Sequence, residues 1–319
     1  MDICSDDNAW LLDFSFTQAR SHLSVYDSAW AEPSIGHLEK LLKMTYAEPS
    51  ALRAERAARL VERIRANCAW TDVMQRHRQL IKDIQTQAFC RPRVGWVTTF
   101  GERCGIATTT EMLIREMDAP APVIFSRKDV GVPVEMDHRD VRSITVFPSW
   151  DEFGFYGVLD AVEMYRLQVV VVQFVYPFYN YEALIGLIDR LEQKGCVVVI
   201  ELHESEPPRY SPERHLSALV LVLSKCARVL VHSVNALNDL KAIGLVNNVS
   251  LFPLGVRIPS GDPLPTSEKR EWEARIQDAR QTNNLVIASY GFFLPHKGLS
   301  ELIAIAHRMR HLDQQVHLL

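Results

Sequence analysis

The chain has 319 residues, 47% of them apolar, and a formal net charge of −4. That is room for about two domains, with no basic face for bulk nucleic-acid binding. No run of about 18 apolar residues occurs, and Asp2, Asp6 and Asp7 interrupt the N-terminus, so neither a membrane span nor a secretory leader is expected.

Residues 1–90 read as a helical segment. From Ile35 to Thr86 apolar residues recur three and four apart, with His37, Leu38, Leu41, Leu42 and Met44 on one face, then an Ala-, Arg- and Glu-rich run from Ala51 to Asn67. Pro33 and Pro49 fall near helix starts, where proline is tolerated. Two or three helices are expected, with no sheet of their own, and the apolar face must pack on something.

Arg91-Pro92-Arg93 marks a boundary, after which strand, loop and helix patterns alternate. Strands are expected at Val94–Thr98, Val123–Phe125, Ser143–Val146, Val169–Phe174, Val197–Leu202, Arg228–His232 and Val249–Phe252. Helices are expected at Ala107–Met117, Val158–Leu167, Tyr181–Lys194, Ser217–Lys225 and Val234–Ile243, the last closed by Gly244. Short apolar strands alternating with helices imply a parallel sheet covered on both faces. Residues 257–283 read as a proline-bearing linker and a helix. A second α/β unit opens at Leu285 and spans 284–319, with a further strand at Val316–Leu319.

In a doubly wound sheet, ligands sit beyond the carboxyl ends of the strands. The loop Thr98–Ala107 carries Gly101 and Gly105 but is not GxGxxG; a ligand-approach loop and a plain turn with a helix cap fit it equally. Gln173 is followed by Tyr176, Phe178 and Tyr179, a surface for stacking a sugar or, more commonly, a core-edge cluster. His203, with Glu201, Glu204 and Glu206 nearby, suits proton handling or a hydroxyl contact, against the commoner structural role. His232 precedes Ser233, a natural N-cap. The strongest single site is Lys297, in Ser289–Leu299. A strand, a loop with Gly291 and Gly298 around the lysine, and a helix start form a usual phosphate cradle. Six cysteines (Cys4, Cys68, Cys90, Cys104, Cys196, Cys226) lack CxxC or CxxH spacing and read as reduced, mostly buried thiols of a cytosolic protein rather than a zinc site.

Taken together, Cys104-Gly105-Ile106-Ala107, His203, Val231-His232-Ser233, Phe252–Val256 and Gly291–Gly298 resemble the retaining glycosyltransferases of the GT-B fold, a family with many bacterial mannosyl- and glucosyltransferases. The resemblance covers residues 93–319. It implies a Rossmann-like acceptor domain over 91–256, preceded by the helical segment, and the start of a truncated second Rossmann-like domain for a GDP- or UDP-linked sugar. It also implies Lys297 on the donor diphosphate, Gly105, Gly291 and Gly298 near the donor phosphates, His203 near the reacting sugar, and no cofactor or metal.

The implied activity is retaining hexosyl transfer to a saccharide or lipid-linked saccharide in cell-surface polysaccharide biosynthesis. It would take place in the cytoplasm or at the cytoplasmic face of the inner membrane, with peripheral membrane association left open. The sequence departs from the family pattern twice. Phe292 stands where an arginine is common, and the Glu-x7-Glu segment of the donor site would lie beyond residue 319. The chain alone is therefore expected to be inactive. Trp10, Trp30-Ala31-Glu32-Pro33 and Ala69-Trp70 look like the tail of a preceding transferase unit, the other reading being a private cap packed on 93–255. The alternative to an enzyme is a non-catalytic glycan- or partner-binding unit. A nicotinamide enzyme is disfavoured, because GxGxxG is missing and the second strand ends in Ser126-Arg127-Lys128 rather than an acid.

Overall fold

The computed structural model describes residues 3–19, 28–69, 73–79, 82, 91–102, 104–117, 120–128, 144–207, 214–255, 266–281, 285–287, 298–309 and 316–318. The chain divides into two compact units, 1–256 and 257–319.

The first unit is built on an eight-stranded sheet. Its strands are β3 (Val94–Val97), β4 (Val123–Arg127), β5 (Thr145–Asp151), β6 (Gly154–Phe155), β7 (Val169–Phe174), β8 (Val197–Leu202), β9 (Arg228–Val231) and β10 (Val249–Leu251). The spatial order is β10-β9-β8-β7-β3-β4-β5-β6, and every pair is parallel except the β5–β6 hairpin at one edge. The run β5-β4-β3-β7-β8-β9 has the 3-2-1-4-5-6 order of a Rossmann-like sheet, with its switch point between β3 and β7. The sequence expectation of a parallel α/β sheet holds. The β6 return was not foreseen, because two residues carry no periodicity.

Valine runs form β7 and β8 because both faces are covered. Val170, Val172, Phe174, Val198, Ile200 and Leu202 enter one large core. The opposite face holds a smaller core, in which Val94, Trp96 and Ile124 meet Ile114. Ile114 lies on the helix Gly105–Glu116 (α3). Gly95 faces the large core and makes room there: a Cβ would meet Leu167 Cδ1 and Phe125 Cε2, each at 2.8 Å. Local caps set the helix bounds. Cys104 Sγ accepts from Ala107 N at 3.3 Å and starts α3 two residues before the expected Ala107. Asn180 and Ser233 cap the helices Tyr181–Gln193 (α5) and Val234–Ala242 (α7). The helix Val158–Tyr165 (α4) stops short of Leu167 because Arg166 takes a left-handed φ of 51°. Gly244, at φ 87°, ends α7 as expected.

The N-terminal segment is not purely helical, which corrects the expectation for 1–90. Phe14–Gln18 (β1) pairs antiparallel with Ala29–Pro33 (β2), ahead of the helices Ile35–Ala47 (α1) and Ser50–Cys68 (α2). Phe14, Phe16 and Trp30 are β-formers whose alternation spans only five residues per strand, short beside the helical pattern that follows. Arginines along one side of α2 hold the start of the chain: Arg59 donates to Asp7 O at 2.8 Å, Arg63 to Ile3 O at 3.4 Å, and Arg56 to Ala9 O at 3.3 Å. The apolar face of α1 does not pack as expected; Leu42 is 62% exposed and no described α1 residue is buried.

What joins this segment to the sheet body is β1 against α7. Asn238 Oδ1 accepts from Phe16 N at 2.7 Å, Asn238 Nδ2 donates to Phe16 O at 3.0 Å, and Lys241 pairs with Asp13 at 2.6 Å. The asparagine thus acts as one more residue of a β-ladder.

In the second unit, Leu285–Ile287 (β11) pairs parallel with Val316–Leu318 (β12), with the helix Leu299–Arg308 (α9) between them in sequence. A further helix, Thr266–Gln281 (α8), packs on β11. This is the strand–helix–strand start expected for 284–319. A further helix of the first unit, Val220–Lys225 (α6), follows a 3-10 turn at Leu216–Leu219. Among the described residues no helix is long and apolar enough to cross a membrane. Of the described cysteines, Cys196 and Cys226 are buried, Cys68 and Cys104 are half-buried and Cys4 is exposed, all as free thiols.

Gly95→Ala should cost about 1–3 kcal/mol in urea unfolding through overpacking. Gly105→Ala, where a Cβ meets nothing within 4 Å, should stay within about 0.5 kcal/mol of the parent. Asn238→Ala should release the N-terminal hairpin. Two hydrogen bonds at about 0.5–1.5 kcal/mol each correspond to roughly tenfold or faster amide exchange across Phe14–Gln18, with α5 unaffected. Unchanged exchange there would show that β1 is held by other contacts.

Candidate functional site

The strand registers place the site. Val97 pairs with Val172, Val172 with Ile200, and Gln173 with Glu201. One residue further on, Thr98, Gln173 and Glu201 therefore stand in one row across β3, β7 and β8, on the face covered by α3. All three are buried, as is Thr110, which α3 lowers onto them.

The row is joined end to end. The hydroxyls of Thr98 and Thr110 both meet Gln173 Oε1, Thr110 at 2.6 Å. Gln173 Nε2 donates to Glu201 Oε2 at 2.9 Å. Trp150 Nε1 donates to the carbonyls of Phe125 at 2.9 Å and Thr98 at 3.1 Å, which fixes the chain as it leaves β3.

Beyond Glu201 the same face carries two histidines. Because Leu202 pairs with Val231, His203 and His232 fall side by side one step past β8 and β9, with ring centroids 4.8 Å apart. His203 N donates to Phe174 O at 3.1 Å. His232 Nδ1 lies 2.8 Å from Phe252 O. Glu201 Oε1 is 3.5 Å from His232 Nε2 and 3.8 Å from His203 Nε2. Burial pushes the Glu201 carboxyl above its usual value, while the Gln173 hydrogen bond and His232 pull the other way. Burial, aided by His232, lowers His203 to about 4, so its ring is neutral near pH 7.

The structure thus brings His203 and His232 together, and it supplies Glu201, Gln173, Thr98 and Thr110 as a unit that one-dimensional reading treated separately. The available signal was a polar residue in the penultimate place of two apolar strands, VVVVQF and VVVIEL. Gly105 opens α3 at the switch point, one strand removed from the histidines, with free space beside its Cα. Gly298 is the N-cap of α9 at φ 72°, a conformation that favours glycine. Gly291 and Lys297 lie outside the described residues, as does Cys90. The aromatic cluster after β7 belongs to the core. Tyr176 and Tyr179 are buried, Tyr179 packs on Trp150 at 4.8 Å, and their hydroxyls donate to Ser205 O and Gln173 O. Beside it, Phe153, Asn180, Tyr181, Glu182 and Arg214 line an open depression of about 540 Å³.

The site is therefore a buried polar row ending in a Glu–His–His cluster, at the carboxyl edge of a mostly parallel, Rossmann-like α/β sheet. No protein-family model and no curated protein matches the chain.

If the row is one unit, Gln173→Leu should destabilise more than Thr110→Val. The first leaves Glu201 Oε2 without its amide donor and puts an apolar group against two hydroxyls that keep Thr99 O and Ile106 O as acceptors, and should cost about 2–4 kcal/mol; the second removes one hydroxyl and should cost about 1 kcal/mol. Equal costs in urea unfolding would break the row into independent contacts.

Proposed function

We propose that the protein is a retaining hexosyltransferase that moves a mannose- or glucose-type sugar from a GDP- or UDP-linked donor to a saccharide or lipid-linked saccharide acceptor. The observation that carries the reading is the placement of the resembling motifs. Gly105 starts a helix at the switch point of a sheet with Rossmann order, His203 and His232 follow adjacent strands of it, and the second unit has a strand, Leu285–Ile287, and a helix N-capped by Gly298.

In this reading the acceptor binds on the first unit. The depression flanked by Phe153, Tyr181 and Arg214 offers a ring face, a cation and polar groups suited to a saccharide. The donor diphosphate binds at the start of α9. The helix N-terminus and Lys297 would stabilise negative charge as the nucleotide departs. His203 would contact the sugar being transferred. The work would be done in the cytoplasm, in the assembly of a surface polysaccharide. The contacts between β1 and α7 are those a private cap makes, and a tail from a preceding transferase unit could make them equally.

Equilibrium binding of GDP and UDP tests the donor side directly. One of the two should bind, and Lys297→Ala should weaken it by about 10–100-fold, the loss of a charge-assisted contact, with the circular dichroism spectrum unchanged. Failure of both nucleotides to bind, or equal binding by Lys297→Ala, would remove the donor-site assignment. It would leave the glycan- or partner-binding reading in its place.

A further inference from the structure

The Glu201–His203–His232 cluster leaves three inward-facing polar atoms without hydrogen bonds. A carbonyl oxygen only accepts, so at 2.8 Å from Phe252 O the His232 Nδ1 carries hydrogen, and a neutral ring presents a bare lone pair at Nε2. Glu201 Oε2 already takes the Gln173 amide hydrogen, and the Gln173 oxygen faces the two threonine hydroxyls. That leaves Glu201 Oε1, His203 Nε2 and His232 Nε2. None of the three has a hydrogen-bond partner among the described protein groups, all are sealed from solvent, and they lie within 4.8 Å of one another. The separations of 3.5 and 3.8 Å exceed a hydrogen bond.

The two carboxylate–imidazole separations come close to those around a shared cation. With metal–nitrogen and metal–oxygen bonds of about 2.0–2.2 Å, tetrahedral ligand atoms stand roughly 3.3–3.6 Å apart. The surroundings match a metal site as well. One ligand histidine donates its other nitrogen to a backbone carbonyl, and the ligand carboxylate is oriented by an amide that is itself held by two hydroxyls. The side chain of Glu201 is 1% exposed, while those of His203 and His232 are 11% and 13% exposed.

We infer that Glu201, His203 and His232 form a binding site for one divalent transition-metal ion, with zinc the ion that best fits two imidazoles and a carboxylate. Three protein ligands leave a coordination position for water or a ligand oxygen. The inference does not rest on the transfer reading, since metal uptake is measured without any sugar nucleotide.

The test strips the protein with a chelator and titrates it with Co²⁺, then with Zn²⁺ against a chromophoric competitor. One equivalent of Co²⁺ should bind with the strong ligand-field absorption of a four-coordinate site and no thiolate charge-transfer band. Zn²⁺ should displace it and raise the melting temperature. His203→Ala and His232→Ala should each lower affinity by at least about 100-fold while keeping the stripped protein's circular dichroism. No uptake by the parent, uptake marked by thiolate bands, or undiminished uptake in His232→Ala would each overturn the site. If both variants fail to fold, the parent's own stoichiometry and spectrum decide.

Discussion

Gln173 is the residue on which the carboxyl edge of this sheet depends. Its amide spans from the hydroxyls of Thr98 and Thr110 to the carboxylate of Glu201, and so links β3, α3, β7 and β8 within one buried row. Each group would cost free energy buried alone, and the chain keeps them buried by pairing each with the next. The backbone reinforces the link, since the Tyr179 hydroxyl donates to the Gln173 carbonyl. A side chain lacking either the donor or the acceptor end of an amide could not hold both neighbours.

The row also explains the asymmetry of the sheet. One face is a continuous apolar core running from β4 to β9, closed by α5 and its buried leucines. The other face is apolar only at the amino end of the strands, where Val94, Trp96 and Ile114 meet, and turns polar at the carboxyl end. Parallel strands present equivalent rows on the same face, so a polar residue at the matching position of three strands creates a polar band rather than scattered defects. Gly95, at the apolar end, gives up its side chain so that Phe125 and Leu167 can close the other core.

Much of this fold was legible in the chain. Runs such as Val169–Phe174 and Val197–Leu202 announced buried parallel strands, and Asn180, Ser233 and Gly244 marked helix ends by the chemistry they perform. Two features were hidden for a physical reason: they depend on contacts distant in sequence. The β1–β2 hairpin spans five residues per strand and is held partly by Asn238, 222 positions from Phe16. The polar row was visible residue by residue, yet its unity depends on register, which no single strand encodes. Glu201 in particular looked like one of several acids near His203. Only the pairing of Gln173 with Glu201 and of Leu202 with Val231 separates it from the exposed acids that follow.

Glu201 Oε1 lies 3.5 and 3.8 Å from the two imidazole nitrogens, beyond hydrogen-bond reach of either, whichever atom carries the hydrogen. A single cation serves all three atoms at once, and it also offsets the cost of a carboxylate 1% exposed in the sheet. Gln173 has a second role in that arrangement. By occupying Oε2 it turns Oε1 alone toward the histidines, so the same amide that holds the strands together also determines which oxygen is presented as a ligand.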